Sequence, residues 1–176
     1  AQSSRAAGAT SDAPGDYKVK IRSVKSGEES VYTYADLKLA GNQKLPLAPG
    51  TYVVSAESPD HADYMAGTSC ADWERPVYFG SVTKNVIKRT ETQVNDLVCT
   101  LANIKTTVTL TQDLQELFMS DAEAEAAGKE KLTVTLSVGD NRLVFDRAAA
   151  DAGKAGYFKA VEASNTVKVV LSGQYN

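Results

Sequence analysis

"VNDLVCTLANIKTTVTLT", Val94 to Thr111, is the longest strand-like run in the chain, and its phase decides how the protein is organised. Side chains alternate faces along a strand, so the apolar positions report which face is buried. Leu97, Cys99 and Leu101 fall on odd numbers, whereas Ile104, Val108 and Leu110 fall on even ones. The phase slips by one residue at Ala102-Asn103, so a straight strand would turn its two apolar rows to opposite faces. The spacing predicts two strands joined there, the first closing one domain and the second opening another.

Upstream, short alternating runs recur at regular spacing with turn residues between them. Tyr17, Val19 and Ile21 alternate with Lys18, Lys20 and Arg22, and "KSGEES" turns the chain into "VYTY". In "LPLAPGTYVVSAES", Pro49-Gly50 has the composition of a type II turn, after which Tyr52, Val54 and Ala56 form one row. "PVYFGS", "VTKNVIK" and "TQVNDLVCTL" complete the set. Downstream, "QDLQELFM" is the one helix expected: Leu114, Leu117 and Phe118 share a face, and Asp113 with Glu116 suggests a capping box. "SDAEAEAAGKEK" reads as an exposed charged loop. Leu132, Val134, Leu136 and Val138 alternate, and "GDN" turns into "RLVFD" before "GYFKAV" and "TVKVVLS". The expected fold class is therefore all-β, with two tandem β-sandwich domains of immunoglobulin-like or transthyretin-like kind and one short helix in the second. The boundaries fall at 1–16 for a flexible lead, 17–102 for the first domain and 103–176 for the second. The lead, "AQSSRAAGATSDAPGD", suits either a tether or a cloned flank.

Composition removes several function classes. The 176 residues carry 19 basic and 22 acidic side chains, a net charge of −3 with the signs mixed along the chain. Without a basic stripe, no nucleic-acid partner is expected. No apolar run approaches the roughly 20 residues that span a bilayer. A secretory signal is absent, as in either a mature or a trimmed chain. Two cysteines, Cys70 and Cys99, fit one disulfide in an exported protein or two buried thiols.

Reaction chemistry is not expected. His61 is the single histidine, and Asp60, His61 and Asp63 on one loop are too few to predict a metal site. No nucleophile elbow, phosphate loop or metal-type cysteine pair is present, so neither enzyme activity nor a cofactor is expected. The segment Tyr64 to Phe79, "YMAGTSCADWERPVYF", gathers aromatics around the one tryptophan. Two readings stand: Tyr64, Trp73 and Tyr78 with Glu74 form a glycan-binding surface, or Trp73 plugs one end of a sandwich.

"LPLAPGTYVVSA" (45–56), "YFGS" (78–81), "CTLANIKTTVTL" (99–110), "LVFD" (143–146), "GYF" (156–158) and "VKVVLSG" (167–173) follow one another in an order that resembles a family of cell-surface lipoproteins of Bacteroides and relatives. Cys99, Leu101, Ala102, Asn103 and Lys105, the C-x-L-A-N-x-K segment, are its most specific part. The resemblance implies export, an outer-membrane lipid anchor on a cysteine outside this sequence, tandem sandwiches with fimbrillin-like organisation, and no assigned activity. The expected function is a non-catalytic surface protein of structural or adhesive, fimbrial-like type. Other surface or pilus-type subunits are its expected partners, and the alternative is a carbohydrate-binding surface module using residues 64–79. The chain stops soon after "LSGQYN", where the resemblance leads one to expect further strands.

Overall fold

The computed structural model describes residues 14–67, 71–160 and 165–176. In chain order its elements are β1 (Lys18–Ser23), β2 (Glu29–Thr33), α1 (Tyr34–Lys38), β3 (Gly50–Glu57), α2 (His61–Ala66), β4 (Ala71–Trp73), β5 (Tyr78–Val86), β6 (Thr100–Leu101) and β7 (Ile104–Thr106). They continue with α3 (Gln112–Glu116), α4 (Asp121–Ala126), β8 (Thr133–Val138), β9 (Asn141–Asp146), α5 (Arg147–Asp151), β10 (Gly156–Phe158) and β11 (Lys168–Ser172). The protein is mostly β, built from antiparallel sheets with short helices between them. Its described residues fall into two compact units. Unit 1 lies within Ala1–Pro59 and Phe79–Cys99, and unit 2 within Asp60–Tyr78 and Thr100–Asn176.

Unit 1 carries the strands in the order β2-β1-β3-β5. The register sets Val19 against Ala56, Ile21 against Val54, and Val54 against Val82, so one face collects the apolar row. On the other face Lys18, Arg22, Ser81, Thr83 and Asn85 are exposed. The expectation of a sandwich is corrected for this unit: among the described residues it holds one sheet. That face is mostly polar, with Val31, Val53 and Phe79 scattered among charged and hydroxyl side chains, so it offers a second sheet little continuous apolar surface to cover. The apolar face is covered instead by Tyr34 and Leu37 around α1 and by Leu97 and Cys99.

The run that opened the sequence reading forms no continuous ladder. Between residues 92 and 111 only β6 and β7 are strands. The alternation is nonetheless physical: Leu97 and Cys99 pack on the unit 1 core while Val98 is 69 % exposed. Ile104, Val108 and Leu110 pack on the unit 2 core, and Leu101 is exposed rather than buried with its row. "PVYFGS" and "VTKNVIK", read as two strands, contribute to one nine-residue strand, β5. Gly50 opens β3 without the positive φ of a type II turn. Left-handed glycines in this part are Gly27, at φ 75° in the β1–β2 turn, and Gly41, at φ 95°.

Unit 2 stacks two three-stranded sheets, β4-β10-β7 and β11-β8-β9. Val134, Leu136 and Val138 of β8, Leu143 and Phe145 of β9 and Phe158 of β10 form its core, against which Ala71 and Trp73 of β4 and Ile104 of β7 pack. β8 and β9 join through a two-residue turn with Gly139 at φ 57°, a glycine-first hairpin.

The linear split at 102/103 is corrected in two respects, the smaller being that Thr100, Leu101 and Ala102 already belong to unit 2. Asp60–Tyr78, within the expected first domain, belongs to unit 2 because Ala71–Phe158 pairing places β4 beside β10. Through residue 13 the expected lead lies outside the described residues. From residue 14 the chain is tied down, with Ala35 N–H donating to the Gly15 carbonyl at 2.9 Å. Among the described residues five short helices form where one is expected. α3 is capped by Thr111, which accepts from Leu114 N–H, with Leu117 exposed and Phe118 buried. The capping box falls one helix later, where Ser120 and Glu123 satisfy each other's backbone and start α4 within the presumed loop.

Candidate functional site

Two regions deserve description by geometry: the aromatic segment 60–78 and the outer strand of the second sheet in unit 2. The sequence leaves two readings of the first, a glycan-binding surface or a Trp73 plug, and in the structure Tyr64 and Trp73 pack inward. α2 sets Tyr64 inward, where it is 1 % exposed and packs with Val77, Met65 and Ala102. Its hydroxyl donates to the Tyr157 carbonyl at 3.3 Å, and the Arg75 guanidinium lies 5.2 Å from its ring centroid. A ring so enclosed offers no platform to a sugar. Trp73 is half-buried, edge-on to Phe145 with centroids 4.6 Å apart, and the Lys154 ammonium lies 4.4 Å from its ring centroid. Trp73 is therefore a packing residue carrying a cation–π partner.

Glu74 adopts φ 51°, uncommon for a side chain bearing a Cβ. Local hydrogen bonds hold it there: its N–H donates to the Ala155 carbonyl at 3.0 Å, and its carboxylate accepts from Ala155 N–H at 2.6 Å. That exchange fixes the end of β4 beside the start of β10, so the carboxylate is spent on the backbone. Tyr78 is half-buried at the start of β5. The four residues thus do not form a shared open surface.

The ionisable groups nearby are organised around Arg75. It donates to Asp72 at 2.8 Å, and its Nε lies 3.6 Å from the Asp60 carboxylate. The hydrogen bond to Asp72 raises the guanidinium pKa further above its ordinary value. His61 is the first residue of α2, and Asp63 is exposed in its first turn. Among the described residues no three His, Cys, Asp or Glu side chains gather as a metal site. Cys99 is a free thiol that donates to the Ala56 carbonyl at 3.5 Å, and burial raises its pKa. Its candidate disulfide partner, Cys70, lies outside the described residues.

The sequence reading missed two structural side chains. Asn103 is buried; its amide donates to the Arg75 carbonyl at 2.8 Å and accepts from Val77 N–H at 3.4 Å. The signal was available, since an asparagine at a phase slip between apolar rows needs backbone partners. Lys159 donates to the carbonyls of Met65 and Gly67, closing the C-terminal end of α2. No sequence pattern marks that contact, because the groups are far apart in the chain.

The second region is β11. It pairs with β8, setting Val169 opposite Leu136 and Leu171 opposite Val134. Partners in a ladder share a face, so Val169 and Leu171 belong to the core-facing row. Yet Leu136 and Val134 are 5 % and 6 % exposed, while Val169 and Leu171 are 63 % and 40 % exposed. The core thus ends at β8, and β11 carries its apolar row past the cover. Among the described residues β11 is also an outermost strand of its sheet, with β8 as its one neighbour.

This architecture defines a β-rich, two-unit protein with an uncovered apolar edge. The chain belongs to the family described as Domain of unknown function (DUF4493), which matches residues 1–176. No curated protein and no solved structure matches it. No helix among the described residues is long and apolar enough to cross a membrane.

Proposed function

We propose that this chain is a non-catalytic, exported cell-surface protein of structural or adhesive type, whose second unit accepts an extended segment of another polypeptide along β11. One observation carries the reading: the core-facing row of β11 is exposed beside a buried β8. An edge strand offers unpaired N–H and C=O groups, and an incoming strand with alternating apolar side chains satisfies them while covering Val169 and Leu171. Lys168 and Val170, in the other row, are exposed as well. The C-x-L-A-N-x-K segment and the ordered blocks around it support placement among Bacteroides cell-surface lipoproteins of fimbrillin-like organisation. In that reading a lipid anchor outside this sequence holds the chain at the outer membrane. The facing sheets of unit 2 support the sandwich half of the reading, and unit 1 is a single-sheet variant.

The glycan reading of residues 64–79 loses its basis with Tyr64 buried and Trp73 packed. Protease shaving of intact cells, with antibody detection of the full chain, tests export; a chain protected until lysis overturns it. Substituting Val169→Lys and Leu171→Lys tests the edge. Both side chains are exposed, so the fold is retained while recovery of the chain in surface assemblies falls at least tenfold. Unchanged recovery of the folded variant defeats the strand-acceptor reading.

A further inference from the structure

We propose that unit 1 binds a chain-like amphiphile with an anionic head group, in a cavity on the open half of its sheet. The inner face of that sheet is covered unevenly. Near Ala56 and Gly80 the chain around Val98 lies directly on it. Towards the opposite end of β3 and β5 the cover parts, leaving a cavity of about 800 Å³. That volume lies within the range of small-molecule pockets, about 300–1,000 Å³. Ile21, Tyr52, Val54 and Val86 of the strands line it, with Leu45 and Leu47 on one side and Ile87 and Val94 on the other. Leu47, Ile87 and Val94 are exposed, so the apolar lining continues out to solvent.

The walls are held apart by specific contacts. Tyr52 Oη donates to the Ala48 carbonyl at 3.0 Å, fixing the 45–49 loop over the sheet. Lys44 Nζ reaches Glu91 at 2.9 Å, joining that loop to the opposite wall. Lys84 is likewise committed, to Asp96 at 2.7 Å.

The charge at this site is unbalanced. Lys44, Lys84, Lys88 and Arg89 all line the cavity, and the first two have carboxylate partners. Among the described residues Lys88 and Arg89 have none. Arg89, at φ 62°, is the third residue of the Ile87–Thr90 turn, closed by Thr90 N–H donating to the Ile87 carbonyl at 3.2 Å, and this turn carries both cations at the cavity rim. Two adjacent unpaired cations beside an apolar lining match a ligand with one anionic end and a hydrocarbon body. A neutral lipid leaves the cations idle, and a highly polar anion leaves the lining uncovered.

Displacement of a fluorescent fatty-acid analogue from the full chain, with dodecanoate as competitor, tests this. Saturable one-to-one binding is expected, tightening about fourfold per added methylene at most across an octanoate, decanoate and dodecanoate series. Dodecanol should bind at least tenfold more weakly than dodecanoate. The double variant Lys88→Glu, Arg89→Glu should weaken dodecanoate at least tenfold with an unchanged thermal midpoint, both side chains being exposed. Leu47→Glu should weaken all chain lengths. No saturable binding, equal affinity for dodecanol, or an unaffected folded double variant overturns the proposal. Preferential binding of an acidic oligosaccharide over dodecanoate overturns it too.

Discussion

The Val98 carbonyl sits where the side chain of any residue other than glycine would begin at position 80, and a Cβ built there also comes within 3.1 Å of the Cys99 Cα. Gly80 lies in β5 opposite Ala56, so the segment carrying Leu97 and Cys99 crosses the inner face of the sheet at its two smallest positions. Gly80→Ala is expected to destabilise unit 1 by about 3 kcal/mol, the upper end of ordinary overpacking, because the obstacle is backbone. Urea denaturation checks it. A loss below about 0.5 kcal/mol would mean that the segment moves freely.

Burial of Tyr64 gives a graded prediction. Tyr64→Phe removes the hydroxyl that donates to the Tyr157 carbonyl and should cost about 1 kcal/mol. Tyr64→Ala empties the space against Val77 and should cost about 3–5 kcal/mol. The same denaturation experiment separates them. Equal, negligible losses would return Tyr64 to the surface.

The α4 cap should respond to acid. The Ser120 side chain, then its backbone N–H, donates to Glu123 and lowers that carboxyl's pKa from its ordinary value. A group whose folded pKa is depressed contributes stability above its unfolded pKa, about 4.3, and loses it as pH falls through the lower folded value. The Ser120 amide resonance should therefore titrate with Glu123, at a pH below the carboxyl's ordinary value. In Ser120→Ala that depression should shrink. A Glu123 carboxyl titrating at its free value would remove the capping box.

Cys99 should react slowly. Its half-buried thiol donates to the Ala56 carbonyl, and burial raises its pKa, so little thiolate is present near neutral pH. Peptide mapping after iodoacetamide treatment at pH 7.5 without reductant should show Cys99 unmodified in the folded chain and modified in urea. Resistance in urea that disappears on reduction would identify a disulfide.

On β11, every second amide between Val167 and Leu171 should exchange rapidly in the monomeric chain, while the amides facing β8 stay protected. Uniform protection in a monomer would show that the edge is already covered.

The sequence by itself determined the β character, the row that most strands bury and a change of core between Cys99 and Ile104. These are local properties: alternation depends on residues two apart, and the phase slip can be counted along the chain. It did not determine whether an alternating stretch is laddered. Leu97 and Cys99 bury the expected row, but backbone pairing depends on which strand comes alongside, and Gly80 lets this segment lie across a sheet instead. Only tertiary structure assigned Asp60–Tyr78 to the second unit, because β4 finds its partner in β10, some eighty residues away. The same long-range pairing turned the aromatic segment inward. Tyr64 and Trp73 look alike in sequence whether they face a ligand or a core, and the deciding neighbours, Tyr157, Phe145 and Lys154, come from the far end of the chain. The exposed row of β11 is the converse case. Val169 and Leu171 read as core by alternation, and it is the extent of the facing sheet, a property no local pattern encodes, that leaves them uncovered.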